Sequence, residues 1–478
     1  MPPDVWMEEG QDATDNRSAI ALTRPPDPSD WERFLANAAF VTSFKRFGLA
    51  PDLDDDTYRM ICLYRPGPGP LLPNLHELVW EEADADVFEY GYQFLGPKLS
   101  ALHIGQPPSD TLLLPILRSL HAKCPQIRHL SVQCRSSVGP VDPIVSRAVK
   151  QLLHLETIDL SLPLSDDALE HLATLPNLTV AKLFLPRDTE LHERLTTIPA
   201  PIFPRLTVLH VSVIRLEPSL TNLVDLISSC QLSDVRLSAA HDPSSVSLNS
   251  FLTALSRCPS SDVLSAVNLS FPMPSSIPLM RSLNAVPPHD HPECTLDIST
   301  FEPILSCPEL TDLDVTSFFL RLDDEFIRTL AAACPRLQSL RLVPPYYSGR
   351  LPEVTLDGLL PLFRSCSDLE SLSLPINATE APSDFTGCIH DSQLLTLDVG
   401  DSPIRFADEV AAFLSAHCTH PSFEIIAAQA REGDSNPEHI RMRELHCVMW
   451  NQVARLVRLF AKVRSQEREH WMGRSSDL

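Results

Sequence analysis

Glycine is scarce in this chain, 14 of 478 residues, so neither a glycine-rich linker nor a glycine-lined phosphate loop dominates it. Positive charge is also short: 38 Lys and Arg stand against 62 Asp and Glu, a net charge of −24. Such a surface repels a phosphate backbone rather than releasing its counterions, and it disfavours anionic lipid, so neither nucleic acid nor membrane is the expected partner. The longest apolar runs, such as TLLLPIL from Thr111, fall far short of a bilayer span. The opening MPPDVWMEEGQD has no basic or apolar leader region, which makes the cytoplasm or nucleus the expected compartment. Twelve cysteines include no CxxC pair and read as reduced structural thiols. Neither GxSxG, HExxH, GxxxxGK[ST] nor GxGxxG occurs, and HELVW at His76 and HERLT at His192 lack the second histidine that zinc ligation requires. No enzyme and no cofactor are expected.

What the chain has in quantity is proline and leucine in register. Its 44 prolines are spread along the whole length and punctuate a repeated segment of the form P-x-L-x-x-L-x-L. Twelve copies occur: LPNLHELVW, GPKLSALHI, CPQIRHLSV, LLHLETIDL, LPNLTVAKL, FPRLTVLHV, QLSDVRL, VLSAVNL, CPELTDLDV, CPRLQSLRL, SDLESLSL and QLLTLDV. Their leading apolar residues run from Leu75 through Leu99, Ile127, Leu155, Leu178, Leu206, Leu232 and Leu264 to Leu310, Leu337, Leu369 and Leu394. Most steps are 23 to 32 residues, with one long gap from 264 to 310. Within that gap TLDIST is a candidate degenerate strand.

Helical patterns with Asp or Ser starts lie between the segments, as in DDALEHLATLP, SLTNLVDLISSC and DDEFIRTLAAACP. Proline at 73, 97, 125, 176, 204, 308 and 335 lacks the N–H a helix needs and pushes its predecessor toward extended backbone, ending the helix and launching the strand. A single strand and helix cannot bury their own apolar faces, whereas stacked copies share a core. The expected fold is therefore α/β: a leucine-rich-repeat solenoid, or horseshoe, with parallel strands on the concave face, helices on the convex face and helical caps at both ends.

The expected organisation is a disordered 1–17, a capping region with irregular first repeats at 18–70, repeats over 71–430, a closing helix at 436–468 and a tail at 469–478. AIAL and FVTSF read as irregular first strands, and SDWERFLANAA as a helix with a capping box of Ser29 and Glu32. In the closing helix, Leu445, Val448, Met449, Val453, Leu456, Val457, Phe460 and Val463 form an apolar series. Arg441, Arg443, Arg455, Arg458, Lys462, Arg464 and Arg468 occupy its other face, expected to be the solvated polar side of a terminal cap, with a basic amphipathic helix for a membrane or partner as the alternative.

Period-2 alternation sends the leucines inward and the intervening residues outward. The candidate partner-binding face comprises Glu77, His103, His129, Gln133, Asp159, Lys182, His210, Asp234, Arg236, Asn268, Asp312, Asp314, Arg341 and Asp398, accompanied by Val79, Ser131, Thr157 and Ser373. It leans acidic, so a protein partner with a basic surface is expected. PPHDHPEC, with His289, Asp290, His291, Glu293 and Cys294, is the densest set of metal-capable side chains, but its spacing matches no known metal site and a polar loop is the expectation.

The copies CPQIRHLSV and CPRLQSLRL, with AAACP, resemble the leucine-rich-repeat proteins of the F-box class, especially the large fungal, basidiomycete-type set in which cysteine-proline precedes the strand. TRPPDPSDWERFLANAAFVTSF and NQVARLVRLFAKVRSQERE are similar to flanking segments of that group. The resemblance implies a substrate receptor of an SCF (Skp1-cullin-F-box) ubiquitin ligase. The F-box itself, which such proteins use to hold Skp1, is missing here, so Skp1 and cullin are expected partners only if an F-box lies upstream. A stand-alone scaffold or inhibitor that grips a basic protein is the alternative, and a loop-based metal-dependent enzyme a more remote one.

Overall fold

The computed structural model describes residues 5–9, 19–47, 52–53, 55–82, 84–134, 142–185, 191–271, 292–344, 351–382, 392–427 and 437–475. The chain divides into two compact units, Met1–Val211 and Ser212–Leu478. The architecture is α/β, built on leucine-rich strand–helix repeats in parallel ladders.

In the first unit, β1 (Trp6–Glu9), β2 (Ala19–Leu22) and β4 (Asp52–Leu53) make a small sheet in which β1 and β2 are antiparallel and β2 and β4 parallel. The strand β1 lies inside the stretch 1–17 that the sequence suggested would lack fixed structure. The ladder consists of β3 (Ser43–Phe47), β5 (Glu77–Glu81), β6 (Ala101–Gly105), β7 (His129–Gln133), β8 (Thr157–Pro163), β9 (Val180–Leu185) and β10 (Val208–Val213), and the unit boundary falls within β10. The second unit holds β11 (Asp234–Ala239), β12 (Ala266–Ser270), β13 (Asp312–Thr316), β14 (Ser339–Val343), β15 (Ser371–Ser373), β16 (Thr396–Gly400) and β17 (Glu424–Ala427), each parallel to the next.

Every one of the twelve sequence copies contains residues of a ladder strand, and every leading apolar residue is buried. Alternate strand residues interleave in aligned rungs: Leu78, Leu102, Leu130 and Ile158 in the first unit, Val267, Leu313, Leu340 and Leu372 in the second. At the start of most ladder strands one carbonyl accepts two successive N–H groups of the next repeat, as Thr311 O does from Gln338 N (2.8 Å) and Ser339 N (2.9 Å). Hydroxyls reinforce this line, with Thr179 Oγ1 donating to Glu156 O and Thr207 Oγ1 to Thr179 O, each at 3.0 Å. Because these bonds run between repeats and not within them, order in one repeat requires its neighbour.

Cysteine marks the end of many helices. Cys124, Cys334, Cys366 and Cys418 occupy the residue just after a helix, with φ and ψ near −128/61, −122/68, −104/78 and −105/86. A small thiol fits these buried corners and turns to the preceding repeat: Cys366 Sγ lies 3.5 Å from Cys334 O, and Cys258 Sγ 3.4 Å from Val224 O. Burial pushes the thiols up, Cys124 and Cys366 to about 11 and Cys258 and Cys334 to about 12, so they stay protonated and unreactive in the folded chain.

Three local expectations are corrected. The helix Pro28–Ala38 is capped by Asp27, whose carboxylate accepts from Ser29 N and Asp30 N while Asp30 reaches back to Asp27 N, so the box is Asp27 with Asp30 and not Ser29 with Glu32. Arg24 holds Asp30 in place at 2.6 Å. TLDIST adds no ladder strand: β12 pairs directly with β13, Ala266 opposite Asp312, and Asp297 caps the short helix Ile298–Phe301. Leu296 instead bridges Leu320, the first of a second line of parallel bridges that continues as Asp323 with Glu353, Thr355 with Asn377 and Ala378 with Ile404. In that line the Asp324 carboxylate takes Thr355 N (2.7 Å) and Thr355 Oγ1 (2.8 Å), and Gly358 makes room, since a Cβ there would stand 2.0 Å from Asp324 Oδ1.

The third correction concerns the helix Pro437–Ser475, which packs on the helix Ala407–His417. Trp450, Val453 and Val457 are buried, and Trp450 Nε1 donates to Ser402 O at 2.9 Å. Its basic residues do not share one solvated face. Arg443 is buried on Asp401 (2.7 Å), and Arg464 reaches Ser415 Oγ (2.5 Å) and Ala412 O (3.3 Å). The side chain of Arg468 lies outside the described residues. No helix among the described residues is long and apolar enough to cross a membrane.

Candidate functional site

The side of each ladder opposite the leucine rungs is polar, and register decides which outward residues meet. In the first unit the outward rung reads Lys45, Val79, His103, Ser131, Asp159, Lys182 across successive strands. Glu77, one residue pair earlier, bonds Lys45 Nζ at 2.7 Å and Ser43 Oγ at 2.7 Å; the lysine ammonium, then the serine hydroxyl, hold its carboxyl below the usual range. Asp159 takes Gln133 Nε2 at 2.6 Å on one oxygen and Lys182 Nζ at 3.2 Å on the other. His103 Nε2 lies 3.1 Å from Glu81 Oε1. His129 is exposed, whereas Thr157 and His210 are half-buried.

In the second unit the corresponding rung is Arg236, Asn268, Asp314, Arg341, Ser373, Asp398. Arg236 pairs with Asp234 at 3.0 Å on its own strand. Asn268 Nδ2 donates to Asp314 Oδ2 at 3.0 Å, and Arg341 Nε lies 3.6 Å from Oδ1, an oxygen without a hydrogen-bond donor among the described residues. Burial dominates there and raises the Asp314 carboxyl above its ordinary value, against the pull of Arg341. Asp398 accepts from Ser373 Oγ (3.0 Å) and from Gly400 N (3.0 Å), and Gly400 takes φ +53 where the register with β17 shifts. Asp312 is exposed and takes only the neighbouring Thr311 hydroxyl, 2.6 Å away, among the described residues.

The face that reads as acidic in sequence is thus largely a mosaic of ion pairs. Glu77, Asp159, Asp234 and Asp314 each have Lys or Arg within salt-bridge reach. On this face, and among the described residues, Asp312, Asp262 and Asp368 have no Lys or Arg within salt-bridge reach. An open depression of ≈ 510 Å³ beside Asp312 is lined by Asp262, Val263, Ser265, Glu309, Thr311, Arg336, Gln338 and Asp368. Three carboxylates face one guanidinium, which itself bonds Glu309. Glu309, Arg336 and Asp368 stand immediately before the leading leucines Leu310, Leu337 and Leu369, so a single repeat position stacks them side by side. Sequence reading concentrated on strand residues and missed this rim; the shared position before the leucine was the signal.

His289, Asp290 and His291 of PPHDHPEC lie outside the described residues; Glu293 is exposed and Cys294 half-buried. Among the described residues no group of three or more His, Cys, Asp or Glu gathers as a metal site.

No family model matches the chain, and no curated protein matches it. Among solved structures it is similar to one described as the crystal structure of the Rad7 and Elc1 complex in yeast, at 15% identity and a TM-score of 0.35, over 65% of this chain and 76% of that chain. A likeness of that degree carries no argument about activity or partners.

Proposed function

We propose that the chain is a non-catalytic protein-binding repeat whose outward strand face in the second unit, with the depression beside Asp312, receives basic side chains of a protein partner. The observation that carries this reading is the uneven distribution of charge. Most outward carboxylates are paired internally, whereas Asp262 and Asp368 line an opening with one paired arginine between them, and the exposed Asp312 follows Thr311 of its lining. A lysine or arginine entering there gains Coulomb attraction without having to displace an existing cation. The absence of nucleophile–base motifs in the sequence, and the commitment of outward side chains to one another, support binding without chemistry.

Quantitative affinity capture tests the proposal. With Asp312→Lys and Asp368→Lys together, recovery of basic partners is expected to fall about tenfold, and recovery by the native chain to fall as salt shortens the Debye length from about 10 Å toward about 3 Å. Recovery unchanged by the double reversal and by salt would refute it. The resemblance of the CP-type repeats and flanking segments to the F-box class supports a finer role, reception of substrate for a cullin-based ligase. Co-precipitation with Skp1 and cullin supports the receptor; a basic partner recovered without either supports a stand-alone scaffold or inhibitor.

A further inference from the structure

The helix Pro437–Ser475 buries Trp450, Val453 and Val457 against its own unit, yet an adjoining stripe of the same helix remains apolar and uncovered. Leu445 is 51% exposed, Val448 65%, Leu459 53% and Val463 43%, with Met449 and Leu456 half-buried between them. Leu445, Met449, Gln452, Leu456, Leu459 and Val463 alternate in steps of four and three, the heptad spacing of a seam that takes a second helix. Along the open edge of this seam stand Arg441, Arg455 and Lys462, all exposed and without an acidic partner among the described residues. The opposite edge, His446, Val453 and Phe460, is partly or wholly buried.

We propose that this stripe is the docking seam for an amphipathic helix of a partner protein, apolar at heptad positions and carrying Glu or Asp along the edge that meets Arg441, Arg455 and Lys462. Charge selects this occupant. A second copy of the chain, laid antiparallel, sets the same three cations against themselves, and laid parallel it requires the edge that Val453 already buries. A lipid surface fits less well: Gln452 interrupts the stripe, no exposed aromatic among the described side chains anchors it, three cations along its edge fall below the polybasic clusters that hold anionic bilayers, and the chain carries −24 overall. A polar residue at one seam position is, by contrast, a common device for fixing the register of paired helices. The seam is separate from the depression beside Asp312, so either proposal stands without the other.

The test uses the full chain and a synthetic peptide of about four heptads, Leu at the seam and Glu on both flanks, whose own like charges keep it from self-pairing. Titration calorimetry is expected to show saturable binding that a Lys-flanked peptide lacks. Arg455→Glu with Lys462→Glu, both on the exposed edge, should weaken the Glu-flanked peptide about tenfold and create binding of the Lys-flanked one. Equal binding of the two peptides, or no response to the charge reversal, overturns the proposal. So does sedimentation showing a dimer abolished by Leu459→Glu, or phosphatidylglycerol vesicles captured in place of the peptide.

Discussion

Asp314 shows how little a one-letter code says about the state of a charge. Among outward strand residues it looks equivalent to Asp312, and period-2 alternation places both correctly. Alternation cannot say that Asn268 and Arg341 stand one and one strand away on either side, because lateral neighbours depend on register across gaps of 46 and 27 residues. The consequence for Asp314 appears in the pH dependence of stability. Burial raises the Asp314 carboxyl, so the folded chain holds a proton where the unfolded chain, at 3.8, has released it. That contribution to stability is present below the ordinary carboxylate range and is lost as pH rises through the folded value. Asp314→Asn keeps the acceptor for Asn268 and removes the cost of ionisation, and is expected to gain a few degrees of thermal midpoint on the native chain between acid and neutral pH. A difference constant across pH would contradict this. Glu77 has the reverse sign, since Lys45 lowers its carboxyl and its small, largely solvated contribution disappears as pH falls.

Elements were legible where one force dominates. The twelve leucine segments all became strands because the inward leucines at alternate positions leave no other way to be buried. Legibility failed where two geometries share one composition. Ser29 with Glu32 and Asp27 with Asp30 both fit a capping box, and the choice fell to Asp27 because Arg24 anchors Asp30. The helix Pro437–Ser475 was visible as a helix, but its apolar series was read as one stripe when it is two. Val453 and Val457 face inward and Leu445, Val448, Leu459 and Val463 outward. The inward part centres on Trp450, fully enclosed and bonded to Ser402 O. Trp450→Ala is expected to cost about 3–5 kcal/mol from the cavity and about 1 kcal/mol from the lost hydrogen bond. Limited proteolysis should then release the helix well before the repeats are cleaved; simultaneous loss of both would place the helix inside the cooperative core.

At the scale of the molecule, a charge of −24 means that compact states carry self-repulsion throughout. Exposed ion pairs such as Arg128 with Glu156 return little, typically about 0–1 kcal/mol each. Raising salt from about 0.01 M to 0.15 M is therefore expected to lift the thermal midpoint in calorimetry, because screening relieves more repulsion than attraction. A falling midpoint would show the ion pairs to be the stronger influence.

The thiols at the helix ends add a consequence of a different kind. Cys258, Cys307, Cys334 and Cys366 lie in successive repeats of the second unit and Cys418 two repeats further on, each sealed and protonated while its own corner is closed. An alkylating reagent can reach such a thiol only when that corner opens, so the chain carries its own set of local clocks. The order in which these cysteines are trapped under native conditions, read residue by residue in a mass spectrometer, would time where the stack first breathes and in which direction opening spreads.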